Sequence, residues 1–198
     1  MNVSLILGHP RQDSFCRAIA DAAAATLSLN GHLVTFHDLY AEGFNPLVSA
    51  DESRTRISSD ALVEQHCVEI AKADGLVVVH PNWWGQPPAI LTGWIDRVIR
   101  PGVAYDLAVG AGARTTHVGR LRVRTAVVFN TSDSPLTVEQ GRFGNTLDVI
   151  WRTYVADLCG IPNMRRILFS VMGTSSPEQR AAWLNDVRAA IQEDFPKA

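Results

Sequence analysis

No run of about 18 apolar residues occurs anywhere in the 198-residue chain, so no membrane-spanning helix is expected. The first apolar segment, Val3 to Leu7, is too short and lacks the basic flank of a secretory leader, which predicts a cytoplasmic protein. Cysteine is scarce. Cys16, Cys67 and Cys159 form no CxxC pair, which excludes a disulfide scaffold and fits a reducing compartment. Neither sign of charge is in excess: a formal net charge of −2 carries no global footprint for nucleic acid or an anionic membrane surface.

Several motifs are missing as well. There is no GxGxxG after the first strand, no GxxxxGK[ST] and no GxSxG, which removes a dinucleotide Rossmann site, a P-loop and an α/β-hydrolase. A receiver domain needs acids after strand one and an aspartate closing strand three, where His9 and His80 stand. The histidines show no metal-ligand spacing; His66 has only Cys67 beside it, and no metal is expected. His37 and His80 end strands and read as partnered polar residues, and His117 with its neighbouring arginines reads as a solvated loop.

What is present is an alternation of short apolar runs and segments of helical period, with no linker, hence one domain over 1–198. Val3–Leu7, His32–His37, Leu76–His80, Ala126–Phe129 and Ile167–Val171 read as five strands, the third buried on both faces. Between them lie helices marked by Phe15, Ala18, Ile19 and Ala22, by Val63, Cys67, Ile70 and Ala71, by Leu91, Trp94, Ile95 and Val98, and by Leu147, Ile150, Trp151, Tyr154, Val155 and Leu158. Gly31 and Gly160 sit where helices end; Ser176-Pro177-Glu178-Gln179 starts the last one. Asp38 to Ser59 has no clear period and reads as a surface excursion. Five strands joined by helices predict a doubly wound α/β sandwich with a parallel sheet, whose ligands bind beyond the carboxyl ends of the strands.

Two segments at that edge carry chemistry. Gly8 to Cys16 joins strand one to helix one, where unpaired N–H groups and a partial positive charge suit a phosphate; Asp13 or Ser14 acting only as a helix cap is the competing interpretation. Pro81-Asn82-Trp83-Trp84-Gly85-Gln86-Pro87-Pro88 follows the most buried strand, and two adjacent tryptophans cannot both enter one core. A stiff aromatic loop with free amides suits a planar heteroaromatic ring; a core lid or an oligomer interface would also use the tryptophans.

The run from His80 through Trp94-Ile95-Asp96-Arg97-Val98 resembles the flavin-loop signature of the flavodoxin-like NAD(P)H:quinone oxidoreductases, approximately P-x-x-W-x-x-x-P-A-x-L-K-G-W-x-[DE]-R-V. His9 with Ser14-Phe15, Asp38-Leu39-Tyr40, Phe44-Asn45-Pro46 and Arg100 to Tyr105 are similar to further family segments, so the likeness covers nearly the whole chain and is densest over 1–106. The resemblance implies a flavodoxin-like sheet of order 2-1-3-4-5, a non-covalent flavin reduced by NAD(P)H and reoxidised by a quinone, and a homodimer. FMN is expected, with FAD the alternative, because no extra segment for an adenosine half is evident. Carried over by position, His9, Ser14, Phe15 and Cys16 hold the phosphate side, and Pro81, Asn82, Trp83 and Trp84 lie along the isoalloxazine. Asn130, Thr131 and Ser132 complete the ring site, and Tyr105 sits near the acceptor.

Three positions depart from the family pattern. Cys16 replaces an asparagine, Ser132-Asp133 replaces a Gly-Gly pair, and the Tyr and His that stabilise reduced flavin in the mammalian enzymes have no counterpart, with Phe143-Gly144-Asn145 nearby. No catalytic residue is named. Two other roles known among relatives are an ancillary subunit of a potassium efflux transporter and a flavodoxin-like electron carrier; the second is usually strongly acidic, unlike this chain.

Overall fold

In the computed structural model, which describes residues 1–109 and 115–197, all five predicted strands pair in parallel within one sheet. The chain runs through β1 (Asn2–Leu7), α1 (Phe15–Leu29), β2 (Leu33–Asp38), α2 (Ala50–Thr55), α3 (Ala61–Lys72), β3 (Gly75–Pro81) and α4 (Ala89–Val98). A small antiparallel hairpin follows, β4 (Tyr105–Val109) with β5 (Thr115–Gly119), and then β6 (Thr125–Ser132), α5 (Leu136–Gly141) and α6 (Thr146–Asp148). The last helix continues as a π-helical stretch, Val149–Asp157, before β7 (Asn163–Ser170) and α7 (Pro177–Asp194). The sheet order β2-β1-β3-β6-β7 is the expected 2-1-3-4-5 of its five strands.

Each strand's alternate residues feed two separate cores. Ile6, Val78 and Val128 pack against α3, α4 and the π-helical stretch, through Val63, Leu91, Trp94 and Trp151. Leu5, Val77, Val127 and Phe129 pack against α1 and α7, through Ile19, Ala23, Val187 and Ile191. Helix ends follow their local signals. Ser14 Oγ accepts from Arg17 N and Ser176 Oγ from Gln179 N, and Gly31, at φ 83°, closes α1 with His32 N donating to Leu27 O. Among the described residues no helix is long and apolar enough to cross a membrane.

Four expectations change. The Asp38–Ser59 excursion contains α2, anchored by Glu52, and the segment holding His117 forms the β4–β5 hairpin, with His117 exposed on β5 beside the Tyr105 ring. β6 is three residues longer than its apolar run, so Asn130, Thr131 and Ser132 lie on the strand rather than after it. Tyr154, expected in the core, is 63% exposed. A π-helix turns more slowly than an α-helix, so Leu147, Trp151 and Val155 stay inward at spacings of four while Tyr154 rotates out.

The excursion is fastened to the body at two points on α4. A Cβ on Gly93 would lie 2.3 Å from both Cβ and O of Pro46, so the chain can cross here only over a glycine. One turn later, buried Arg97 donates to Glu52 (3.0 and 2.8 Å), Ser58 Oγ (3.0 Å) and the Asn45 carbonyl (2.6 Å).

Candidate functional site

Two cavities open at the carboxyl edge of the sheet and meet at Asn82, Ser132 and Asp133. The first, of about 340 Å³, is walled by His9, Arg11, Ser14, Phe15 and Cys16 on one side. Across from them stand Pro81, Trp83, Thr131, Met172, Gly173 and Arg180. The second, of about 520 Å³, is lined by Trp84, Gly85, Ser134, Glu139, Phe143 and Thr146 besides the three shared residues.

The first cavity gathers unspent donors and positive charge. Ser14 caps α1 and satisfies Arg17 N, while the amides of Phe15 and Cys16, in the helix's first turn, have no intrahelical acceptor. The cap and the ligand loop are thus one structure. His9 accepts from Arg11 N at Nδ1 (3.1 Å), which places its proton on Nε2 as a donor. Burial lowers the pKa of His9 and favours that neutral form. Arg11, paired with Asp13 at 2.9 Å, and Arg180 supply positive charge. Arg180 was not foreseen; it is one turn into α7, and nothing in the local sequence aims that helix at the first loop.

Cys16 offers the first cavity its backbone amide and not its thiol. Its thiol is buried, 3.3 Å from Thr131 Oγ1, and burial pushes its pKa up to about 12.

The tryptophan loop is a tight hairpin turn. Trp83 and Gln86 exchange both backbone hydrogen bonds, with Trp84 at φ 58° and Gly85 at φ 75° between them. Asn82 fixes this turn: its N–H donates to Thr131 O, its Oδ1 accepts from Gly85 N (2.9 Å), and its Nδ2 donates to Glu139 (2.7 Å). The loop's amides are mostly spent in this way, so of its main-chain donors Trp84 N–H is the one left without a protein acceptor among the described residues. The Trp84 side chain is 99% exposed at the mouth of the second cavity, and Trp83 is 42% exposed. Trp94 is the opposite case, buried on α4 with its indole N–H donating to His66 Nδ1 (3.0 Å).

Ser132 and Asp133 redirect the loop after β6. Ser132 Oγ donates to Glu139 (3.0 Å) and accepts from Ser134 N, and Asp133 accepts from Gly173 N at 2.6 Å. Glu139, absent from the sequence-based site, is 4% exposed and takes donors from both cleft walls. Only the completed fold brings α5 under Asn82.

Two expected site residues are not at the cleft. Asn130 shares a face of β6 with Val128, and its Nδ2 donates to His80 Nε2 (2.8 Å), to which Trp151 Nε1 also donates (2.9 Å). Strand parity explains the difference, since Thr131 alone of the pair can face α1. His80 is wholly buried, its Nδ1–H bonded to the Pro81 carbonyl, and burial lowers its pKa to about 4. Tyr105 lines a different cavity of about 290 Å³ with Glu52, Arg56, Asp96 and Arg100.

A cluster of His37, Glu42 and His66 brings ligand-type atoms within 4.8 Å of one another. The donor pattern of these groups fits protons, not an ion. Trp94 occupies the Nδ1 lone pair of His66, so the proton of that ring sits on Nε2, facing Glu42 at 3.2 Å. His37 faces a carboxylate from each nitrogen, Glu42 at 2.9 Å and Glu69 at 2.6 Å.

A family model described as flavodoxin-like fold matches residues 1–195. A Haemophilus influenzae protein named as an uncharacterized NAD(P)H oxidoreductase is 32% identical over 190 residues, 93% of this chain and 91% of its own. NAD(P)H dehydrogenase [quinone] 1 of Rattus norvegicus is 27% identical over 213 residues, 95% of this chain and 75% of its own. Among solved structures, the NAD(P)H:quinone oxidoreductase from Methanothermobacter marburgensis superposes with a TM-score of 0.80 at 25% identity, covering 98% of this chain and 96% of that one.

Proposed function

This chain belongs to the flavodoxin-like fold family, and from that premise we propose that it is a flavin-dependent enzyme oxidising NAD(P)H with a quinone as acceptor. The observation that carries the proposal is the pairing of an unspent helix N-terminus with an unsupported indole at the two ends of one cleft. A left-handed backbone costs a residue such as tryptophan about 1–2 kcal/mol, and at 99% exposure the Trp84 ring recovers nothing by burial within the chain. A flat aromatic ligand lying on it offsets that cost.

The donor set fits a flavin phosphate: the amides of Phe15 and Cys16, Ser14 Oγ, His9 Nε2–H, and the guanidinium groups of Arg11 and Arg180. Pro81, Asn82, Trp83, Trp84, Thr131 and Ser132 would line the ring, with Asn130 supporting β6 and β3 from beneath by its bond to His80. When bound, the flavin supplies the redox chemistry, taking a hydride from NAD(P)H and delivering two electrons to the quinone, which leaves as hydroquinone after gaining two protons in all. The chain's part is to bind, orient and shield. Asn82 and Glu139 hold the turn that presents Trp84, and Pro81, Pro87 and Pro88 keep it stiff. We further propose FMN rather than FAD, and a homodimer covering exposed Leu107 and Val118 of the hairpin together with Trp84 and Phe143. Tyr105 then reaches an acceptor only across that interface.

Purified protein is expected to bind FMN, turn yellow and oxidise NAD(P)H with menadione; a chain that stays colourless and inactive after incubation with FMN and FAD would remove the proposal. Trp84→Gly separates binding from folding. Relief of the left-handed backbone is expected to raise stability by about 0.5–1 kcal/mol while FMN affinity falls roughly ten-fold. Trp94→Phe, changed in the core, should leave FMN affinity within about two-fold. Equal affinities of the two variants in a flavin fluorescence titration would place the aromatic wall elsewhere. At the other end, Arg180→Gln is expected to weaken FMN about five- to ten-fold and riboflavin hardly at all, since riboflavin lacks the phosphate. Parallel losses for both ligands would show that Arg180 does not meet the phosphate.

A further inference from the structure

The two ends of the cleft differ in charge. At the first, Arg11, Arg180 and the N-terminus of α1 oppose Asp13, which Arg11 already pairs, and Asp133, which both cavities share. At the second, the residues lining the cavity include two carboxylates, Asp133 and Glu139, and no lysine, arginine or histidine. Two cations stand outside this lining: Arg142, over the Phe143 ring at 5.7 Å, and Arg166, whose charge couples to Glu139 from the sheet side.

Neither carboxylate is free to leave. Glu139 is 4% exposed and is held by Asn82 Nδ2 and Ser132 Oγ, both donating to its Oε1. Asp133, at the junction of the cavities, is pinned through Oδ1 by the Gly173 amide at 2.6 Å. Facing them are the open indole of Trp84 and the half-exposed ring of Phe143. Aromatic faces beside fixed negative charge attract planar cations and tolerate planar neutral molecules, while a sulfonate or carboxylate on the ligand meets repulsion in a partly desolvated space.

Resting on the flavin-dependent reading above, we propose that this cleft selects its acceptor by charge, taking planar aromatic acceptors that are uncharged or cationic and turning away anionic ones. Asp133 and Glu139 are the specificity-determining residues, and Asp133 acts more strongly on incoming ligands because it stands at the open junction.

The test compares menadione, uncharged, with anthraquinone-2-sulfonate, anionic, as acceptors for the flavin-loaded protein at low ionic strength. The ratio of kcat/KM, anionic over uncharged, is expected to rise about ten-fold in Asp133→Asn, the scale of one unit charge removed at close range. Asparagine can still accept from Gly173 N, so the loop is retained. In the unaltered protein the same ratio should rise with added salt as the repulsion is screened. A binding measurement stands beside the kinetics: quenching of tryptophan fluorescence by N-methylphenazinium, a planar cation, against quenching by anthraquinone-2-sulfonate, with and without flavin. Tighter binding of the cation, reduced in Asp133→Asn and in Glu139→Gln, supports the proposal. Salt-independent ratios and equal quenching in all three proteins would overturn it. A protein that takes up no flavin defeats the preceding reading instead, while the fluorescence titration of the flavin-free chain still reports on charge preference.

Discussion

Arg97→Met is expected to lower the stability of the fold by about 3–5 kcal/mol, more than any change at the cleft. The arginine is 4% exposed and its partner Glu52 6%, so removing the guanidinium strands a buried carboxylate that, among the described residues, retains only Arg100, 4.0 Å away. The Asn45 carbonyl loses its guanidinium donor in the same step, and Ser58 Oγ keeps only the Asp60 amide. Thermal unfolding should shift down by roughly 10 °C. Adding Glu52→Gln to Arg97→Met should recover part of the loss, because an amide does not need a counter-ion. An Arg97→Met protein that melts within a degree of the unaltered one would show that the excursion over 44–60 is fastened by other means. The point matters for the family signature itself: within Gly93-Trp94-Ile95-Asp96-Arg97, the glycine and the arginine secure a neighbouring segment, and none of the five lines either half of the cleft.

The second large effect is on acid stability. His66 and His80 are both buried, and burial lowers each pKa from 6.5 to about 4, with the neighbouring His37 adding to the effect on His66. In the unfolded chain both rings take a proton near pH 6.5, so between that pH and about 4 the unfolded state binds more protons than the folded one. Their contribution is therefore complete above about pH 6.5, declines as the pH falls, and levels off once the folded rings protonate near pH 4. Each ring accounts for a loss of about 3 kcal/mol across that window. Denaturant unfolding at a series of pH values should show the decline, and His66→Gln, whose amide oxygen can receive the Trp94 indole N–H, should flatten it by one ring's share. Carboxylates that titrate in the same range are common to both proteins and drop out of the difference. Stability curves for the two proteins that run parallel from pH 7 to pH 4 would contradict this account.

Much of the fold could be read directly from residue pattern, because the buried parallel strands are continuous apolar runs and the helix ends carry their own chemistry, as at Gly31 and Ser176. The hairpin at Tyr105–Gly119 could not, since its strands lie outside the main sheet and Leu107 and Val118 remain exposed instead of marking a buried face. α2 was hidden for a related reason: its one deeply buried side chain is Glu52, which no hydrophobic period registers. At the cleft, the two loops next to strands were legible because ligand edges follow from topology. Arg180 and Glu139 were not, being supplied by α7 and α5 from distant parts of the chain. Asn130 turns on a single point, the length of β6: the three further residues of strand decide which of Asn130 and Thr131 looks outward. Tyr154 escapes the 3.6-residue period because its stretch is wound more widely.

The burial of all three cysteines has one further consequence. Quinones are Michael acceptors that arylate exposed thiolates, and the acceptor proposed above would enter the cleft at every cycle. Cys16, the thiol nearest the cleft, has its pKa pushed up to about 12 and its sulfur turned toward Thr131; Cys159 is held similarly high, and Cys67 is raised to about 11. At neutral pH almost none of this sulfur is in its nucleophilic form, so an electrophile that enters the cleft meets no reactive thiolate on its walls.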